Sequence, residues 1–282
     1  MNSKPLKILL DRDLAKAAIP KAIEFCDKLL IKIINYAINA FGRCSSLSPG
    51  GDEYAVLLAL YRHMIEMSDG VQVLISNCCP VPAKPLVRSS WESLLSLEYI
   101  LKNNFKDRAL GFLVDDVRRN LRMLNDLKTY YEIDEEFQQS INENNNLLEK
   151  SSYKSIESKF LEHSRNWPKW YQVFGIASNI RELATEPGRE DKYVTLYFDW
   201  SSTAHGQDLT RFNITTQKGE RTINPLRAPD KTILRSVTQL TTSFLLDGTK
   251  LVLGKFSPSE DLDLWYHNNL KHLYERVKLK TA

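Results

Sequence analysis

Polar residues recur at four-residue steps in three stretches of this sequence, and that spacing places each set on one face of a helix. Arg62 and Glu66 form the first set. Arg88 and Glu92 form the second, inside Arg88-Ser89-Ser90-Trp91-Glu92. The third is Tyr193, Tyr197, Ser201 and His205, with Leu196, Trp200 and Ala204 on a neighbouring face. An arginine offers a planar fork that matches a phosphate or a carboxylate. A glutamate can hold that fork or act as a base, and a histidine titrates near neutral pH and can move protons. Tyrosine hydroxyls can orient a ligand, and their rings can stack on a base. Converging in space, such groups would suit phosphate binding or metal-free phosphodiester cleavage. Arg88, Glu92 and His205 are the catalytic candidates, and Arg62, Glu66, Tyr193, Tyr197 and Ser201 the binding candidates. The same spacing also fits intrahelical ion pairs and a hydrogen-bonded seam that fixes helix register. Spacing alone leaves both readings open.

The familiar local signatures are missing. The chain has no G-x-x-x-x-G-K-[ST], no G-x-G-x-x-G, no G-x-S-x-G and no H-E-x-x-H. Its five histidines are too scattered to read a metal site from spacing, so neither a metal nor a cofactor is expected. The four cysteines, Cys26, Cys44, Cys78 and Cys79, form no C-x-x-C pair, and adjacent Cys78 and Cys79 are too close for an unstrained disulfide. Reduced thiols in the cytoplasm are the expectation.

The elements that must carry these residues read as helices almost throughout. Apolar residues at three- and four-residue steps from Leu14 to Ala40 predict one long helix over 11–41, kinked at Pro20. After Ser-Leu-Ser-Pro-Gly-Gly, a second runs from an N-cap at Asp52 to about Asn77. A third starts among Pro80, Pro82 and Pro85 and reaches about Lys106. A fourth spans 107–131 with Leu110, Val114 and Val117 inward, and Asp115, Asp116, Arg118, Arg119 and Arg122 on a solvated outer face. Two weaker helices are expected over 133–163, interrupted by Asn-Glu-Asn-Asn-Asn at 142–146. Further helices are expected over 176–185, 190–204, 231–254 and 259–278. Residues 207–230 read instead as a short hairpin or ordered loop around Gln217-Lys218-Gly219.

These elements predict an all-α, multi-helix bundle with one short hairpin or loop near 207–230. No internal repeat or long Gly/Ser linker appears, so 1–282 reads as a single domain. Within it lie an N-terminal helix in 1–45, a core over 50–255 and a C-terminal helix over 259–280. The 43% hydrophobic and 26% charged residues fit a chain with a real core. A net charge of +3 is too balanced to argue for nucleic acid by itself, although a local basic patch is compatible with it. The start has too short an apolar run for a signal peptide, and no stretch reaches the roughly 18 consecutive apolar residues that span a bilayer, so no membrane role is expected.

Three features together resemble a large bacterial helical family known as a domain of unknown function. They are the helix carrying Arg62 before a Pro-containing turn, then Arg88-Ser89-Ser90-Trp91-Glu92 running into Leu-Leu-Ser-Leu-Glu-Tyr-Ile, and last Tyr193-x-x-x-Tyr197-x-x-x-Ser201-x-x-x-His205-Gly206. The resemblance covers roughly residues 50–250. That family is similar in turn to HEPN-type bundles, many of which are metal-independent ribonucleases of toxin–antitoxin and phage-defence systems. The resemblance implies an effector acting on RNA or nucleotides, with a possible protein partner in a defence system and a possible homodimer. HEPN ribonucleases usually place a histidine four to six residues after an arginine, and none of the five histidines here has an arginine there. Arg88 and His205 would therefore have to meet through tertiary packing. The other reading is a non-catalytic helical interaction protein, such as a sensor, scaffold or antitoxin-like partner. Its contact surface would be 207–230, with Arg211, Lys218, Arg221 and Arg227.

Overall fold

A computed structural model describes residues 11–132, 134–175, 177–200, 214–217, 220–223, 230–256 and 262–277. It is an all-α multi-helix structure with one small hairpin. The chain forms two compact units: Met1–Ser48, Leu60–Leu94 and Asp191–Ala282 in the first, Pro49–Ala59 and Leu95–Glu190 in the second.

In the first unit the expected N-terminal helix is two helices, α1 (Arg12–Ala18) and α2 (Pro20–Leu47). Proline cannot donate a backbone hydrogen bond, so the break falls at Ile19 and Pro20 restarts the helix at its first turn. Asp11 caps α1 by accepting the Leu14 N–H at 2.8 Å. Leu14, the first residue of the apolar series, is 67% exposed. Two long helices supply residues to both units: α3 (Asp52–Ser76) and α4 (Pro80–Lys102). Leu57, Leu60, Met64 and Val71 of α3 are buried as their spacing predicts. Prolines open α4 as expected, and it stops short of Lys106 because Asn104 takes a left-handed conformation, φ 46°.

The second unit holds α5 (Phe105–Leu127), α6 (Glu135–Leu148), α7 (Ser151–Glu162) and α8 (Ile180–Thr185). On α5 the inward stripe is wider than expected. Asp115 is buried, accepts the Trp170 N–H at 3.4 Å and lies 3.8 Å from Arg119. Arg118 is half-buried between Glu157 at 3.5 Å and the Phe160 and Trp167 rings. The solvated-face reading therefore fails for these two residues, because α7 and the segment after it cover them. Gly111 lies so close to Phe174 that a Cβ would come within 2.5 Å of the ring. The polar run at 142–146 sits inside α6 and does not interrupt it. Gln138 donates to Asn142 at 3.0 Å and Asn144 to the Ser140 carbonyl at 2.7 Å, so the side chains bond along the helix.

Helix α8 begins later than expected, where Asn179 accepts the Glu182 N–H at 3.0 Å. Next comes α9 (Glu190–Tyr193), extended by a π-helical turn over Val194–Asp199. The hairpin pairs β1 (Ile214–Gln217) antiparallel with β2 (Glu220–Ile223), Ile214 opposite Ile223. The chain closes the first unit with α10 (Lys231–Phe256), α11 (Leu262–Asn269) and α12 (Lys271–Val277). The last two were expected as one helix, and they part at the fully buried Leu270.

Burial raises the Asp115 carboxyl above its ordinary range, against the smaller opposing effects of Arg119 and the Trp170 N–H. A carboxyl with a raised folded-state pKa stabilises the fold while protonated in both states, and that contribution is lost as pH climbs through the raised value. Asp115→Asn keeps an acceptor for the Trp170 N–H and removes the titration. The urea midpoint of this variant should exceed that of the wild type at pH 7, and the gap should close towards pH 3.

Candidate functional site

The arginine and glutamate of Arg88-Ser89-Ser90-Trp91-Glu92 meet as the spacing predicts. Arg88 Nε donates to Glu92 Oε1 at 2.9 Å, with side chains 18% and 41% exposed. The Arg88 guanidinium carbon also sits 4.1 Å from the centroid of the Tyr197 ring, within cation–π range. Tyr197 in turn stacks on Tyr193, centroids 5.0 Å apart and planes 16° from parallel. The first unit therefore brings four of the candidates together: Arg88, Glu92, Tyr193 and Tyr197. Planar groups form a stack, guanidinium on ring on ring, with one carboxylate fixing the outer cation.

Local structure explains the placement. Trp91 is fully buried and turns α4 so that Arg88 and Glu92 lie on a partly open face. One turn earlier, the buried Lys84 lies 5.5 Å from the centre of the Trp200 ring. Leu196 and Trp200 bury the apolar side of the segment that carries Tyr193 and Tyr197, as their spacing predicts. That segment is π-helical, a form found mostly as single turns and often at functional sites. Just before α9, Arg189 holds Glu98 through two nitrogens, its Nε lying 2.8 Å from both carboxylate oxygens. Both side chains of this pair are mostly buried.

Arg62 and Glu66 pair with each other at 2.8 Å, but their side chains are 69% and 52% exposed. An exposed i, i+4 pair of this kind contributes about 0.3–0.5 kcal/mol. Ser201 and His205 lie outside the described residues, as do Arg211, Lys218 and Arg227.

Sequence reasoning gave His63 only a local place on its own helix, whereas its Nε2 lies 2.9 Å from Ser89 Oγ and so joins α3 to α4 beside Arg88. It also passed over the Arg189–Glu98 pair, although Glu98 stands in the Leu-Leu-Ser-Leu-Glu-Tyr-Ile run. Those residues are 91 positions apart, so no helical period could have joined them. Two buried donors in the same part of α4, Ser90 Oγ and Trp91 Nε1, have no hydrogen-bond partner among the described residues.

The described residues contain no group of three or more His, Cys, Asp or Glu able to hold a metal ion. All four cysteines are buried and none forms a disulfide, and burial pushes the Cys26 thiol up to about 11, which keeps it protonated. No described helix is long and apolar enough to cross a membrane.

A model described as a family of unknown function (DUF5677) matches residues 54–221, more than half of the chain. The chain belongs to that family. No curated protein and no solved structure matches it. The DUF5677 span runs from the first turns of α3 into β2 and includes Arg62, Arg88, Glu92, Tyr193 and Tyr197. The stacked cluster is thus built wholly from the family's own segment.

The stack should carry part of the stability of the first unit. Tyr197→Leu keeps apolar volume but removes the ring face under Arg88, at an expected cost of about 0.5–2 kcal/mol. Urea denaturation would measure it, and Tyr197→Phe, which keeps the ring, should cost clearly less.

Proposed function

We propose that this DUF5677 protein is a bacterial defence or toxin-like effector that acts on RNA or a nucleotide without a metal. The observation that supports the reading is the state of Arg88. Its guanidinium is held from one side by Glu92 and from another by the face of Tyr197, at the edge of a partly open surface. A cation fixed in this way needs little reordering when it takes up a phosphate.

In the proposed reaction Arg88 binds the scissile phosphate, Glu92 keeps the fork aimed, and Tyr197 supports it. The ribose 2′-hydroxyl attacks the adjacent phosphorus and the 5′-oxygen leaves. His205 accepts the first proton and returns one to the leaving oxygen. Tyr193, Tyr197 and Ser201 contact the bound nucleotide, and Arg62 with Glu66 extends the binding face. Kinship with HEPN-type bundles, a cytoplasmic site of action, a defence-system protein partner and a homodimer belong to the same proposal.

One observation favours a second reading, a non-catalytic sensor, scaffold or antitoxin-like partner. Arg88 is 18% exposed and already paired, which is also how a structural seam between helices would look.

Two variants separate the readings. Under the first, His205→Ala and Arg88→Ala each slow cleavage of a labelled single-stranded RNA by about 100-fold or more, and His205→Ala melts like the wild type. Under the second, the wild type leaves RNA intact and causes no growth arrest when overproduced. Arg88→Ala and Glu92→Ala then act only by lowering the melting temperature by several degrees.

A further inference from the structure

The second unit contains a cleft of about 210 Å³ whose lining includes His163, Arg165, Gln172, Ser178 and Glu182. Most of its polar groups are already engaged in building the loop around it. Gln172 accepts the Lys169 N–H at 2.7 Å and donates to the Ser178 carbonyl. Glu182 receives the Ser178 N–H at 2.8 Å, the Ser178 hydroxyl at 2.7 Å and the Asn179 amide at 3.0 Å. These bonds, the Ser178 N–H foremost, hold the Glu182 carboxyl below its ordinary range, and the Arg165 charge adds a smaller effect in the same direction. Its negative charge is therefore met locally and does not dominate the cleft.

Two groups are left over. His163 Nδ1 accepts the Arg165 N–H at 3.1 Å, which in the neutral ring leaves the proton on Nε2 as a donor. The Arg165 guanidinium makes no hydrogen bond or close ion pair among the described residues, and its charge acts on the Glu182 carboxylate at longer range. Beyond the Glu182 carboxylate, whose oxygens those bonds engage, the cleft offers two donors, His163 Nε2 and the Arg165 guanidinium, the chemistry that takes an anion.

Two residues further on stands Trp167, 52% exposed. The Arg122 guanidinium lies 4.7 Å from its ring centre and that of Arg118 5.5 Å. Two residues of chain span at most about 7 Å, so the backbone that carries the indole lies within that distance of the Arg165 backbone. An exposed aromatic face flanked by arginines is how proteins hold an unpaired base.

We propose that this surface of the second unit is a nucleotide-binding site, with the phosphate taken by Arg165 and His163 in the cleft and the base stacked on Trp167. Free mononucleotides and single-stranded RNA share that chemistry. The proposal does not depend on the reading of the Arg88 cluster, and the experiment keeps the two apart.

Full-length protein carrying Arg88→Ala is titrated with a fluorescein-labelled 12-nucleotide oligouridylate by anisotropy, and with uridine 5′-monophosphate and inorganic phosphate by calorimetry. Arg165→Ala and Trp167→Ala, both at exposed positions, should each weaken binding of the oligonucleotide about 5- to 100-fold, and Trp167→Phe should restore most of the loss. Arg165→Ala should also flatten the salt dependence by about one unit of slope. Equal sensitivity with the mononucleotide would identify a free-nucleotide site, whereas sensitivity with the oligomer alone would identify a strand-binding one. Two results would overturn the site: oligomer affinity unchanged by both substitutions, or phosphate binding as well as the mononucleotide with Trp167→Ala without effect.

Discussion

Four buried threonines set the terms for the first unit. Thr238, Thr241, Thr242 and Thr249 all lie on the inner face of α10, and a buried hydroxyl without a partner costs about 1–3 kcal/mol. Each donates to the carbonyl one turn earlier on its own helix, at 2.6–2.9 Å. The hydroxyls are thus satisfied without a partner helix, and what they present outward is small. Helix α2 packs against α10, its Ala37 and Ala40 are fully buried, and Gly248 leaves room for the Met64 thioether. Larger side chains in this layer would force the helices apart.

Tyr61 is where that layer reaches the candidate site. Its hydroxyl lies 3.2 Å from the Ala37 carbonyl oxygen and 2.8 Å from Thr249 Oγ1, so one phenol ties α3 to both α2 and α10. With Tyr61 inward, the next residue is turned about 100° around the helix, and Arg62 must face solvent. That rotation explains why Arg62 and Glu66 form an open surface pair and take no part in the cluster. His63, one position further on, comes back far enough to meet Ser89 on α4. The register that buries Tyr61 therefore also decides which polar residues of α3 can approach Arg88.

The parts of this architecture that were legible in the sequence are those with a short period. Arg88 with Glu92, and Tyr193 with Tyr197, meet because four residues make roughly one helical turn. The interactions that were not legible join distant stretches. The Arg189 clamp on Glu98, the His63–Ser89 contact and the burial of Asp115 under Trp170 leave no local trace, since each depends on which helix packs beside which. The same limit explains α5, whose outer face looked solvated until α7 and Trp167 covered Arg118. Local chemistry misled the reading in one place as well. The asparagines at 142–146 suggested a break, yet amide groups four apart can bond along a helix as readily as they end one.

The two guanidiniums that stand out, Arg88 and Arg165, are in opposite physical states. Arg88 is mostly buried, paired with a carboxylate and stacked on a ring, so most of the entropy of ordering it is already lost in the folded protein. A ligand at Arg88 must compete with Glu92 and gains geometry in return, the balance expected where orientation matters more than capture. Arg165 is exposed and makes no close ion pair among the described residues, its charge acting on Glu182 only at longer range, so a ligand there gains most of a charge but must immobilise a long side chain. That balance gives weak, salt-sensitive attraction suited to gathering an anion from solution. Both are arginines, and the difference between them lies wholly in what the fold has placed around each one.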